Sequence, residues 1–162
     1  MTTVLAIALG SAMPSRAGSV AATTLTFRGI VGRSARIVRG KIVSTGPVQI
    51  DGAKLFSVQV AVDKTLKGAP GAPGEIVRLF DPAQWFAHTH AAAIRAGVIS
   101  YEDPRYATPV APAELKKGAV LIFYLRDEAA PPGFPPGAAF MTCGQAYDRA
   151  EREREIAALK AP

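Results

Sequence analysis

The feature that most restricts the fold of this chain is a strict alternation over residues 56–62. Phe56, Val58, Val60 and Val62 are apolar, with Ser57, Gln59 and Ala61 between them. Successive strand side chains point to opposite faces, so a period of two marks a strand with one buried face. Just upstream, Asp51-Gly52 lies between apolar runs, the signature of a two-residue hairpin turn.

Other strands follow from composition. Ala35 to Ser44 (ARIVRGKIVS) is rich in β-branched residues and ends at the turn cluster Thr45-Gly46-Pro47. Gly40 inside it predicts a bulge or a sharp bend. Glu75 to Phe80 (EIVRLF) is a strand stopped by Asp81-Pro82, and Ala119 to Arg126 (AVLIFYLR), apolar on both faces, reads as a central one. Ala138 to Cys143 is a short last strand. Loops are expected over Ala69–Gly74, Ser100–Pro112 and Ala129–Gly137, where Pro and Gly cluster.

Helices are expected in three places. Leu25, Phe27, Ile30 and Val31 can line one face of a short helix, weakened by Gly29 and Gly32. Residues 83–97 have Asp81 as N-cap, Pro82 at the first helical position and Gly97 as the stop. Residues 145–160 form a terminal helix, with Asp148 and Arg149 placed four residues before Arg152 and Glu153. The fold class is therefore all-β with accessory helices. Three strands, a helix, two strands and a helix is the order of a five-stranded OB-type Greek-key barrel, with one helix between strands 3 and 4 and another at the C-terminus.

At 162 residues and 49% hydrophobic, the chain is long enough and apolar enough for one domain, expected over residues 23–162. A disulfide framework is excluded, because Cys143 is the single cysteine. The net charge of +6 is uneven: residues 1–67 carry nine basic and two acidic residues, while residues 68–162 carry ten and eleven. A basic half attracts an anionic ligand, an acidic partner or nucleic acid, unless it is simply a solvated face.

Residues 4–9 (VLAIAL) form an apolar run too short to span a bilayer, followed by small residues suited to signal-peptidase cleavage. Residues 1–22 are thus expected to be a secretory signal, although no Lys or Arg precedes the apolar run. The alternative is a buried N-terminal strand. No later stretch has the apolar length of a membrane span. The expected location is periplasmic or extracellular.

Several segments resemble bacterial exported proteins related to the tissue-inhibitor-of-metalloproteinase (netrin-like) OB domain. Ser34-Ala35-Arg36-Ile37-Val38-Arg39-Gly40-Lys41-Ile42-Val43 is similar to the first strand of that family. Phe56–Val62 with Thr65-Leu66-Lys67-Gly68 resembles its second strand and turn. Lys117-Gly118 with Ala119–Leu125, and Thr142-Cys143-Gly144, are similar to its fourth strand and closing segment. The resemblance spans about residues 24–160 and implies an exported binding domain. It does not carry over the inhibitory mechanism, which in that family acts through an N-terminal cysteine; no cysteine precedes Cys143 here.

Candidate chemistry is sparse. His88 and His90 are the two histidines; on a strand they would share a face and a metal, but on a helix they diverge by about 200°. Ligands to support them would come from Asp81, Glu102 or Asp103. Cys143 is a nucleophile only with a base nearby, and otherwise a buried thiol or an intermolecular pairing site. Residues 68–74 lack the Lys-Ser/Thr of a phosphate-binding loop, and two prolines remove backbone donors. No sequence motif calls for a cofactor.

The OB face formed by strands 2 and 3 binds oligonucleotides or oligosaccharides. Lys54, Lys64, Lys67 and Arg78 supply charge there, but no aromatic stands among Ser57, Gln59 and Ala61 to stack a base. The expectation is a non-enzymatic exported binding module, its partner a protein or anionic ligand. Its candidate contacts are Arg36, Arg39, Lys41 and Lys54, with Trp85 and Phe86 at the barrel mouth. The alternatives are a cytoplasmic nucleic-acid-binding OB protein and, more weakly, a metal- or thiol-dependent hydrolase built on His88, His90 and Cys143.

Overall fold

A computed structural model describes residues 26–98, 115–142 and 147–160. The proposed signal segment, Glu102, Asp103 and Cys143 lie outside these residues. The chain is mostly β: α1 (Phe27–Arg33), β1 (Arg36–Ile50), β2 (Ala53–Lys67), β3 (Ile76–Phe80), α2 (Pro82–Thr89), α3 (Ala91–Arg95), β4 (Val120–Ala129), β5 (Ala138–Met141), β6 (Tyr147–Arg149) and α4 (Glu153–Lys160). A short 3-10 turn, Ala150–Arg152, joins β6 to α4.

Five strands pair around a ring. β1 is antiparallel to β2, β2 to β3, β4 to β5 and β1 to β4, while β3 runs parallel to β5. β6 pairs antiparallel with β4 at Leu121, Ile122 and Phe123, on the edge opposite β1 that β5 uses further along.

The β1–β2 hairpin is longer than local composition suggests. Its turn is the expected Asp51-Gly52, with φ of 47° and 78°, the two left-handed positions of a type I′ turn. However, β1 does not stop at Thr45-Gly46-Pro47. Ile50 and Ala53 flank a two-residue turn and so exchange hydrogen bonds, and the pattern alternates from there. Pro47, opposite Phe56, therefore turns its ring nitrogen away from β2, so no ladder bond is lost. The Phe56 N–H likewise points away from its partner strand and donates to Gln84 Oε1 of α2 at 2.7 Å, while the side chain packs against the inner cluster.

Gly40 is required by close approach. A Cβ there would lie 2.5 Å from both the Ala61 carbonyl oxygen and Val60 Cγ1. The β1–β2 register shifts between Arg39 and Gly40, which is the bulge the glycine announces.

Alternation sorts the apolar residues into an inner and an outer layer. Val38, Ile42, Val58, Val60, Leu79 and Phe123 pack together on the inner side of the ring, joined by Leu115, Leu125 and Met141. On the outer side, Ile37, Ile122 and Tyr124 are covered by Ile30 and Val31 of α1 and Ile156 of α4. A second outer cluster, Ile50, Leu55, Phe80 and Phe140, is covered by Trp85 of α2 and by Phe134.

The helices are held locally. Thr26 caps α1 by accepting from the Gly29 N–H at 3.2 Å, and Lys67 donates to the carbonyls of Val31 and Gly32 at its C-terminal end. Asp81 caps α2, accepting from the Ala83 N–H at 2.8 Å, and Pro82 opens the helix as expected. The helix expected over 83–97 is two pieces, because His90 leaves helical geometry at φ −107° and ψ 14°. Gly97, at φ 69°, ends the second. Residues 147–149 pair with β4 instead of starting the terminal helix, and α4 begins only at Glu153.

Candidate functional site

Of the six proposed contact residues, two are spent on the protein's own acids. Arg36 donates to Glu75 through Nη1 at 2.7 Å, and Thr65 lies 3.5 Å from Nη2. The hydrogen bond from Arg36 holds the Glu75 carboxyl below the usual range, and the same bond raises Arg36. Arg39 reaches Asp63 at 3.0 Å and Glu153 at 2.7 Å, and Lys64 closes on Glu153 as well. The bonds from Lys64 and Arg39 lower the Glu153 carboxyl. These arginines fasten β1 to the 68–75 loop and to α4; their charge is already answered.

Trp85 and Phe86 serve the outer aromatic layer. Trp85 packs edge-on against Phe134 with ring centroids 5.0 Å apart, and Phe134 meets Phe80 at the same separation. Phe86 stacks on His90 at 4.0 Å. Lys54 is exposed beside the hairpin turn, seven β2 positions from Ala61, which is Lys41's partner. The six residues do not converge.

The two histidines also separate. His88 lies beside the Trp85 ring at 5.7 Å, while His90 Nδ1 sits 2.9 Å from Thr89 Oγ1 and 3.1 Å from the Phe86 carbonyl. They occupy the last turn of α2 and its C-cap, the divergent helical geometry foreseen for them. Asp81 is committed to capping, and burial pushes its carboxyl up. Among the described residues, no group of three His, Cys, Asp or Glu side chains is placed to hold a metal ion.

Lys41 is exposed, as Lys54 is, and it stands in a row with two exposed aliphatic side chains. It pairs with Val120 of β4 on one side and Ala61 of β2 on the other, and Ala61 pairs with Ile76 of β3. These four residues form one row across four strands, all on the outer side of the ring. Neighbouring strands lie about 4.8 Å apart, so Val120 and Ile76 are separated by about 14 Å. Ile76 is 56% exposed and Val120 43%, whereas the outer apolar residues at either end of the sheet are buried under helices.

A second row runs beside the first. Gln59 pairs with Ser44 and with Arg78. With its amide nitrogen 3.1 Å from Ser44 Oγ, the Gln59 oxygen accepts from the Arg78 guanidinium. Arg78 is thus oriented by a neutral amide and keeps its net charge. Neither Lys41 nor Arg78 pairs with a carboxylate among the described residues.

The open face is therefore aliphatic at both ends and cationic between them. Gln59, Ala61 and Arg78 were legible as outward positions of β2 and β3. The exposure of Ile76 and Val120 was not, because it depends on where the helices stop. No described helix is long and apolar enough to cross a membrane. No protein-family model and no curated protein matches the chain.

Proposed function

We propose that this protein is a non-enzymatic exported binding module of OB type, related to the netrin-like domains it resembles, and that it holds a partner protein on the outer face of β1–β4. The observation that carries this reading is the row Val120–Lys41–Ala61–Ile76. Two large aliphatic side chains stand exposed on a sheet whose other outer apolar residues are covered. Exposed apolar surface grouped on one face marks an interaction site, and Arg78 beside the row is of a residue type enriched in interfaces.

The OB reading is supported by β1 pairing with both β2 and β4, and by the parallel β3–β5 contact that completes the ring. In OB domains the face of strands 2 and 3 is the one that binds ligands, and Gln59, Ala61, Ile76 and Arg78 belong to it here. The aliphatic character of this face favours a protein over a nucleic acid, whose bases are held on aromatic platforms. Export is supported by the apolar run at residues 4–9 and the small residues after it.

Photocrosslinking in the native cell tests the site. A crosslinker at position 76 or 120 is expected to trap a discrete partner, one at position 54 to trap none, and Val120→Asp to abolish capture from position 76. Equal capture from position 54 would discard this face. N-terminal sequencing of the exported protein tests the signal: an intact Met1 would remove the cleavage proposal.

A further inference from the structure

Resting on the reading of the open face as a binding surface, we infer that its occupant is an extended peptide segment crossing the strands, with an acidic residue midway between two apolar ones in the pattern apolar–x–acidic–x–apolar. The spacing carries the pattern. Val120 and Ile76 are three strand separations apart, about 14 Å. On an extended chain, side chains sharing a face recur every two residues, so the first and fifth are also about 14 Å apart. A segment that sets apolar residues over Val120 and Ile76 therefore puts its third side chain above Lys41 and Ala61.

Charge selects that third residue. Lys41 lies within the row and Arg78 in the row beside it, and neither has a carboxylate partner among the described residues. The nearby acids are already engaged, Asp63 by Arg39 and Glu75 by Arg36. A carboxylate arriving between Ile76 and Val120 meets two uncompensated cations, while a basic residue there is repelled. Ala61, the smallest side chain of the row, leaves room for it.

The two aliphatic ends separate this occupant from other anions. A phosphate or a nucleic acid backbone would use Lys41 and Arg78 but leave Ile76 and Val120 wet. A peptide with the stated spacing uses all four.

Fluorescence anisotropy with labelled nine-residue peptides tests the inference. The reference peptide carries Val, Glu and Val at positions 3, 5 and 7. It is expected to bind at least tenfold more tightly than a peptide with Gln at position 5, or one with its second Val moved to position 6. Lys41→Glu is expected to lose the reference peptide and to gain the version with Lys at position 5. That charge-swap rescue also shows the variant to be folded.

Equal binding of the shifted or Gln peptide would overturn the inference, as would preferential binding of oligo-dT or of phosphatidylglycerol vesicles. Should crosslinking from position 76 still depend on Val120 while no peptide discriminates, the face stands and the peptide chemistry falls. Should crosslinking fail too, both fall.

Discussion

Arg36 and Glu75 form a two-point ion pair, with Nη1 to Oε1 at 2.7 Å and Nη2 to Oε2 at 2.5 Å, that ties the first strand to the residue just before the third. Both side chains are about three-quarters shielded from water, at 21% and 24% exposure, so the pair is screened less than a surface bridge. Arg36 Nε is buried beside it with no partner of its own, which makes the guanidinium depend on Glu75.

Stability should follow this pair at acid pH. The Glu75 carboxyl is lower in the folded state, so its contribution is present above the unfolded carboxyl pKa of about 4.3 and lost as pH falls through the folded value. Glu75→Gln is expected to cost about 1 kcal/mol at neutral pH and to match the wild type near pH 2. Urea midpoints at the two pH values measure this; a constant difference would contradict it.

At alkaline pH the controlling group is Tyr124. Burial, followed by the charge of Asp148, pushes its hydroxyl far above the ordinary tyrosine value. The neutral form is the one stabilised by folding, so that stability is full below an unfolded pKa of about 10 and declines above it. Ultraviolet titration should find one of the four tyrosines ionising only as the protein unfolds. Tyr124→Phe should flatten the loss of stability above about pH 10.

Two glycines are expected to respond with opposite signs. Gly40→Ala drives a methyl into the Ala61 carbonyl and Val60, for a loss of about 1–3 kcal/mol. At Gly32, inside α1, an added Cβ meets nothing within 4 Å, so Gly32→Ala should gain about 0.5–1 kcal/mol through helix propensity. Thermal unfolding of the two variants side by side is the test.

The terminal helix should be held by its apolar contact more than by its charges. Ile156 is 1% exposed and packs with Ile30, Val31 and Tyr124. Ile156→Ala should cost about 2–4 kcal/mol, whereas Glu153→Gln, which loosens Arg39 and Lys64, should cost under about 1 kcal/mol and less in high salt. Chemical denaturation at low and high ionic strength separates the two contributions.

What could be read in advance was local. The Asp51-Gly52 turn, the alternation of residues 56–62 and the Asp81-Pro82 helix start each depend on neighbours within a few positions. Pro47 was misleading because a proline ends a strand or sits harmlessly at its edge according to which side the partner lies on. The same limit explains residues 145–160. Asp148 does pair with Arg152 at 2.9 Å, but from β6 rather than from a helix, and Glu153 turns to Lys64 and Arg39 instead of Arg149. Arg36 and Arg39 looked available because their acids lie 39, 24 and 114 residues away. Lys41 remained as a candidate because no distant acid among the described residues claims it.

The outward-turned nitrogen of Pro47 also bears on how the molecule behaves in a crowd. Thr45, Pro47 and Gln49 line the side of β1 that pairs with no other strand among the described residues, since β1 meets β4 only as far as Lys41. A neighbouring chain seeking to extend the sheet there finds N–H groups at Thr45 and Gln49 but none between them. The gap falls in the middle of the margin, where a growing ladder most needs continuity, so each molecule is a poor template for the next. The closed pyrrolidine ring of one residue thus protects this hairpin from serving as a seed for stacked copies, even at high local concentrations.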